Sequence, residues 1–335
     1  MDAIRKATSS GSFRAAIILI IFLAIWARYQ VGGLNGSIIN GWLVLSLPLA
    51  TASIGVTLVI ITRQFDLSAA GVIALTNVIM ATSFKGMNVW IVVVMMLLMG
   101  ALIGLINGLF VVYGKLPAIA VTLATLIILE GLALILLIRP GGSIDPGLIS
   151  TVTGSSLVPR PLLILIILVL LWLAFKRTKL GIYMFAVGQD EEALRLSGLS
   201  IPKVRIAIFT IAGMLYALAG VFLSAAIQSG DATIGEAYLL QTFAAIAIGG
   251  TAFIGGSGSA IGTIFGALTI TVIPKMLFVV GISDWSQRVF TGVLIILAVL
   301  VGAITAMRQR RKLQAKAGEM EQLEAHTVEQ QGGGR

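Results

Sequence analysis

Ten apolar runs constrain this chain more than any other feature. They fall at about 13–31, 38–61, 67–83, 89–112, 117–138, 161–176, 204–227, 237–254, 259–280 and 287–307. Most approach the ~20 residues that a helix needs to cross the hydrocarbon core of a bilayer. They are too long for strands and lack the period-two alternation of a membrane barrel. With 58% hydrophobic and only 11% charged residues, the chain falls far below the roughly one quarter of charged residues typical of a soluble domain. The expected fold class is an all-α membrane protein, a polytopic bundle of about ten transmembrane helices.

The basic residues orient it. With the N-terminus inside, Arg28, Lys85, Arg139, Arg160 and Arg288 face out, whereas most of the 23 Lys and Arg residues face in. That bias places both termini in the cytoplasm and favours an even number of spans. The expected location is a membrane that bounds the cytoplasm. The same bias accounts for the net charge of +9 without nucleic acid as a partner; membrane lipid is the partner it implies. Within the first run, the apolar stretch Ala15–Ala27 follows Arg5, Lys6 and Arg14 as in a signal peptide, but no convincing small-residue cleavage site follows, so it reads as a retained span. The absence of cysteine and the single His326 leave no basis for a disulfide or a metal site, and no cofactor is expected.

Residues 1–307 read as one membrane domain and 308–335 as a polar cytoplasmic tail with a linker-like Gly-rich end. The outer segment 139–160 is rich in Gly, Pro, Ser and Thr and is expected to be irregular. The inner segment 176–205 is the sizeable polar stretch between spans. Within it, Asp190, Glu191 and Glu192 precede Arg195, Ser197, Gly198 and Pro202. Acids at the start, a glycine to cap and a proline to stop describe a short exposed helix.

An internal echo suggests a five-plus-five inverted repeat. Gly100, Gly104 and Gly108 lie in the fourth span, and Gly258, Gly262 and Gly266 in the ninth, each set followed by a proline. Glycine every fourth residue lets another helix approach closely. An odd number of spans per half gives the halves opposite orientations.

No catalytic residues are visible. The stretch Gly249–Gly258 lacks the lysine that a phosphate loop needs and reads as a tight turn. Charges in a span are costly and mark a partner or a role. Glu130 lies deep in the fifth span, Lys275 follows Pro274, and Asp66 sits at a span's inner end. The candidates for a solute pathway are Asn77, Asn107, Glu130 and Gln241. Few carboxylates lie in the spans, which argues for a neutral solute and against a proton relay.

The motifs together resemble the permeases of bacterial ABC importers for ribose and related sugars. Phe65-Asp66-Leu67-Ser68-Ala69-Ala70 is similar to that family's Ile-Asp-Leu-Ser-Val-Gly. Asn107-Gly108, Lys115-Leu116-Pro117, Thr122-Leu123 and Gly131 follow its order, as do Gly188–Leu199 and the Gly-rich stretch 249–262. Phe65, Ala70, Asp190 and Leu194 depart from the pattern. The resemblance implies a non-catalytic transport subunit with three partners: a cytoplasmic ABC ATPase, a periplasmic solute-binding protein and a second permease subunit, identical or related. It also implies that Asp190, Glu191, Glu192, Arg195, Ser197 and Gly198 form a coupling helix on the ATPase, within a coupling loop of about 188–203. The cargo it implies is a neutral monosaccharide, sugar alcohol or related compound. Nucleosides or branched-chain amino acids, or an ion-coupled carrier acting alone, are the alternative readings.

Overall fold

The computed structural model describes residues 11–84, 86–155 and 158–283, with 285, 286, 289, 290, 292, 293, 296 and 300. Its elements are α1 (Gly11–Tyr29), α2 (Gly36–Ile61), α3 (Ala69–Thr82), α4 (Val89–Val112), α5 (Ala118–Leu136), α6 (Pro146–Thr153), α7 (Arg160–Phe175), α8 (Lys179–Gln189), α9 (Glu191–Leu196), α10 (Ile201–Ile227), α11 (Gly235–Ile248) and α12 (Ala260–Val279). Among the described residues there is no strand, only two isolated bridges. The first nine expected spans each coincide with a helix. Most of the tenth, the 308–335 tail and His326 lie outside the described residues.

Six of the helices (α1, α2, α4, α5, α10 and α12) are long and apolar enough to cross a bilayer. α7 and α8 together pass the same test but are bent by 75° at their junction. The chain is therefore a polytopic helical membrane protein.

α2 is the central helix. From Ser46 to Ile61 every residue is buried, as befits a helix that is apolar on all sides. Three of its polar side chains reach α12: Trp42 Nε1 donates to Thr271 Oγ1 (3.1 Å), Ser46 and Thr271 share a bond of 2.6 Å, and Thr57 and Thr263 one of 2.9 Å. In hydrocarbon such hydroxyl pairs hold helices together where burial alone gives no driving force.

Glycine sets the other close approach. Gly100 and Gly104 on α4 lie against the backbone of α10 at Gly213 and Phe209, leaving no room for a side chain, and Gly108 packs on Ile206 and Phe209. On α12, Gly262 and Gly266 meet the carbonyls of Gly249 and Ala245, whereas Gly258 lies in the preceding loop beside Thr251.

Two helices are too short to span. α3 and α11 have 14 residues each, about 21 Å at the α-helical rise against a ~30 Å core. Each follows a long helix, α2 of 26 residues and α10 of 27, through loops of equal length (62–68 and 228–234). Their first turns touch in the interior, where Gly235 lies on the Ala70 carbonyl. From there they run apart. α3 ends beside the loop before α6, with Ser143 N donating to Ala81 O (3.1 Å). α11 ends against Gly11 and α12, on the side that carries α9. The two broken spans thus make an antiparallel crossing, each started by a loop that turns back into the bundle.

Two expectations about loops are corrected. The outer segment is not wholly irregular: Asp145 caps α6 through bonds to Gly147 N and Leu148 N, and Gly141 pairs with Gly230. The inner segment is not simply polar, because α8 buries Gly181, Met184, Val187 and Gly188.

We predict that Gly104→Ala destabilises the bundle by ~1–3 kcal/mol, the usual cost of overpacking, whereas Gly131→Ala, with open space around it, is silent. Thermal unfolding in detergent checks this; equal midpoints for the two variants would refute the α4–α10 contact.

Candidate functional site

The candidate site is built on the crossing of α3 and α11 and on the loops leading into it. In loop 62–68, Asp66 Oδ1 accepts from Ser68 N (2.9 Å) and from Ser68 Oγ (2.6 Å). In loop 228–234, Asp231 Oδ1 accepts from Thr233 N (2.9 Å) and from Thr233 Oγ1 (2.8 Å). The same Asp-x-Ser/Thr turn therefore precedes both short helices. It satisfies donors that have no helical partner at a helix start.

The two asparagines expected on the solute pathway pin these turns in place. Asn77 on α3 donates to Ser224 Oγ (3.0 Å) and Ser229 O (2.9 Å) and accepts from Asp231 N (2.8 Å). Asn107 on α4 donates to Ser68 Oγ (3.0 Å) and accepts from Thr125 Oγ1 (2.6 Å). Thr122 Oγ1 accepts from Leu67 N (3.1 Å). Both asparagines are fully buried, and both ends of each amide are committed. Asp66 Oδ2 and the Tyr216 hydroxyl, also buried, have no partner in hydrogen-bond geometry, but they interact with one another. That contact links loop 62–68 to the middle of α10.

Gln241 and Glu130 are placed differently. Gln241 lines an open cleft of about 470 Å³ with Tyr238, Thr271, Pro274 and Lys275, between α2, α11 and α12. Glu130 is half-buried on α5, with Glu236 of α11 as a like-charged neighbour. The structure therefore divides the four candidates: Asn77 and Asn107 sit inside the packing, and Gln241 and Glu130 on open faces.

The expected exposed helix is α9. Asp190 caps it by accepting from Glu192 N (3.1 Å) and Ala193 N (3.0 Å). Gly198 ends it at a φ of +78°, a left-handed conformation in which glycine pays no steric cost. Pro202 belongs to the first turn of α10 rather than to the stop of α9, where a missing N–H costs nothing. Glu191 pairs with Arg205 of α10 at 2.8 Å. No residue of α9 is buried, and Leu196 is 87% exposed. A cleft of about 690 Å³, lined in part by Lys115, Arg195 and Arg205, separates α9 from the α4–α5 loop. The helix is thus held at its ends and presents Glu192, Arg195 and Ser197 outward.

Several residues of this site escaped the sequence reading. Asp231 and Thr233 repeat the spacing of Asp66 and Ser68, a signal that was present in the chain. Tyr216, Glu236 and Arg63 gave none, because their contacts come from elements distant in sequence. No group of residues able to hold a metal ion occurs among the described residues.

Residues 38–299 match the family described as branched-chain amino acid transport system / permease component. The ribose import permease protein RbsC of Haemophilus influenzae is 33% identical over 86% of this chain and 91% of its own length. The galactose/methyl galactoside import permease protein MglC of the same organism is 30% identical over 88% and 94%. The fructose import permease protein FruF of Bifidobacterium longum is 30% identical over 94% and 95%. No solved structure matches the chain.

Asn77→Ala removes the partner of the partly buried Asp231 amide and Ser229 carbonyl. We predict a loss of ~1–3 kcal/mol for each group left unpaired, read as a lower unfolding midpoint in detergent. An unchanged midpoint would mean that Asn77 does not hold loop 228–234.

Proposed function

The chain belongs to the family described as branched-chain amino acid transport system / permease component, and from that premise we propose that it is the membrane-spanning subunit of an ATP-binding-cassette importer for a neutral sugar or sugar-like solute. The sugar assignment is supported by relatives named for ribose, galactose and fructose import that align over most of their length. The importer assignment has its structural support in α9, a capped helix with no buried residue, standing between the bent α7–α8 pair and α10. Such a helix is suited to being seized by another subunit. The chain itself is non-catalytic, and ATP is hydrolysed by the partner.

On this reading the protein lies in the inner membrane, has ten spans and keeps both termini in the cytoplasm. α2–α3 and α10–α11 are corresponding parts of a five-plus-five inverted repeat, supported by their near-equal lengths and their shared Asp-x-Ser/Thr turns. Discontinuous spans at matching places in two halves are the usual position of a transport pathway. The α9 face is cytoplasmic and meets the ATPase; the α6 face meets a periplasmic binding protein; a second permease completes the pathway. We assign solute contact to Gln241 and Glu130, which have open surface, and the integrity of the crossing to Asn77 and Asn107. Residues Asp190, Glu191, Glu192, Arg195, Ser197 and Gly198 form the coupling helix.

The family description favours one second reading, a branched-chain amino acid as cargo. Competition for uptake of labelled ribose by unlabelled galactose, fructose and leucine separates the two: sugars compete on the reading proposed, and competition by leucine alone overturns it.

We predict that Arg195→Glu or Ser197→Trp reduces ATP-driven uptake by at least about tenfold, equivalent to ~1.4 kcal/mol of lost coupling, with membrane insertion unchanged. Normal uptake in both variants would remove α9 from the coupling role.

A further inference from the structure

Three phenylalanine rings meet where α11 ends on the α9 side of the bundle. Phe65 comes from loop 62–68, Phe243 from α11 and Phe253 from the loop before α12. The Phe65–Phe243 and Phe243–Phe253 centroids are 6.3 Å apart, and Phe65 and Phe253 lie parallel within 3° at 6.5 Å. These separations fall within the favourable range for aromatic pairs. Each ring is only half-buried. Helical spacing puts Phe243 on one face of α11 with Glu236, Leu240 and Ala247, and that face is open: Glu236 and Leu240 are exposed and Ala247 is half-buried. The rings therefore stand at one end of an open helix face that begins at the crossing in the interior.

The two loops that supply Phe65 and Phe253 are also tied to the root of α9. Arg63, two residues before Phe65, donates from Nε to Gly188 O (2.8 Å) and from Nη2 to Gln189 O (2.9 Å). A cation suits these last carbonyls of α8, which have no helical partner. Arg63 holds a φ of +62°, a strained conformation for a non-glycine residue that its surroundings must maintain. Gln189 Nε2 donates to Gly256 O (3.3 Å), and Gly256 N donates to Ile61 O (2.9 Å). Gly188 is packed so closely on the Ile61 carbonyl that no side chain fits. The end of α2, the end of α8 and the loop before α12 are thus one hydrogen-bonded knot, next in sequence to Asp190, the cap of α9.

We propose that Arg63 is the positioning residue through which movement of α9 reaches an aromatic gate formed by Phe65, Phe243 and Phe253. The proposal rests on α9 being the ATPase contact. When α9 moves, Gly188 and Gln189 move with it, and Arg63 and Gly256 carry the displacement to the loops holding two of the three rings. Separation of those rings opens the α11 face toward the α9 side. In the resting arrangement they close it.

The chain has no cysteine, so a single introduced thiol reports on this without background. Leu240→Cys lies on the open face, beyond the rings as seen from the α9 side. In inside-out vesicles holding the permease with its ATPase, a membrane-impermeant maleimide is supplied on the α9 side, from which the proposal has it pass the rings to reach residue 240. We expect labelling rates in the nucleotide-free and vanadate-trapped states to differ by about fivefold or more, the lower bound of a typical coupling between sites. Arg63→Gln should collapse that difference to less than about twofold, with ATPase co-purification and hydrolysis retained, and Arg63→Lys should restore part of it. A full difference with Arg63→Gln overturns the role of Arg63. Equal rates with native Arg63 overturn the gate. Loss of the ATPase from Arg63→Gln would make Arg63 part of docking and also overturn the proposal. Arg195→Glu in the same vesicles tests the underlying reading separately: if it leaves ATPase binding and the labelling difference intact, α9 is not the ATPase contact.

Discussion

Hydrocarbon offers no hydrogen bonds, so every backbone group placed within it must be satisfied by the protein itself. Most of this chain meets that demand with continuous helix. At α3 and α11 it does not: two helices start in the interior, each preceded by a non-helical loop that ends in a turn. Leaving one such polar group unpaired costs several kcal/mol. The cost is met by side chains placed for the purpose. Asp66 and Asp231 bind the first donors of the two turns, Asn77 closes loop 228–234, and Asn107 with Thr122 and Thr125 closes loop 62–68. The crossing exists because these polar groups are present, and the open face of α11 exists because of the crossing.

Around it the bundle divides into tight and loose parts. α2 is buried on all sides from Ser46 onward and joined to α12 by hydroxyl pairs. α4 and α10 approach to backbone contact through Gly100, Gly104 and Gly213. Interiors packed in this way are bistable rather than elastic. α9 is the opposite case, with no buried residue and a cleft behind it. A rigid frame carrying one loosely seated helix at its edge can pass a displacement inward without losing its own shape, provided that the helix is tied to something that matters. Arg63 is that tie.

Much of this was legible in the chain. The apolar runs give nine helices nearly where the structure has them, because burial in lipid leaves a helix no alternative to hydrogen-bonding itself. Asp190, Gly198 and the acids between them define α9 through local capping chemistry, which short-range sequence records. The glycines at 100, 104 and 108 mark a helix contact because only glycine allows it. Length was harder to read: 67–83 and 237–254 look like ordinary spans, since the apolar composition of a half-helix and its re-entrant loop is that of a whole one. The role of Asn77 was not legible, because a polar residue in a span has the same appearance whether it faces a solute or a loop 152 residues away. Arg63, Phe65, Phe243 and Phe253 come together only in three dimensions, and no periodicity announces them.

The source of energy is the point on which the whole reading turns. The most direct measurement is solute uptake by proteoliposomes containing the purified permease, assayed with labelled ribose and its binding protein, with and without the co-purified ATPase. The reading predicts uptake that requires both the ATPase and ATP and that ignores proton or sodium gradients. Uptake by the permease alone under an ion gradient, indifferent to ATP, would contradict it and make the chain a carrier in its own right.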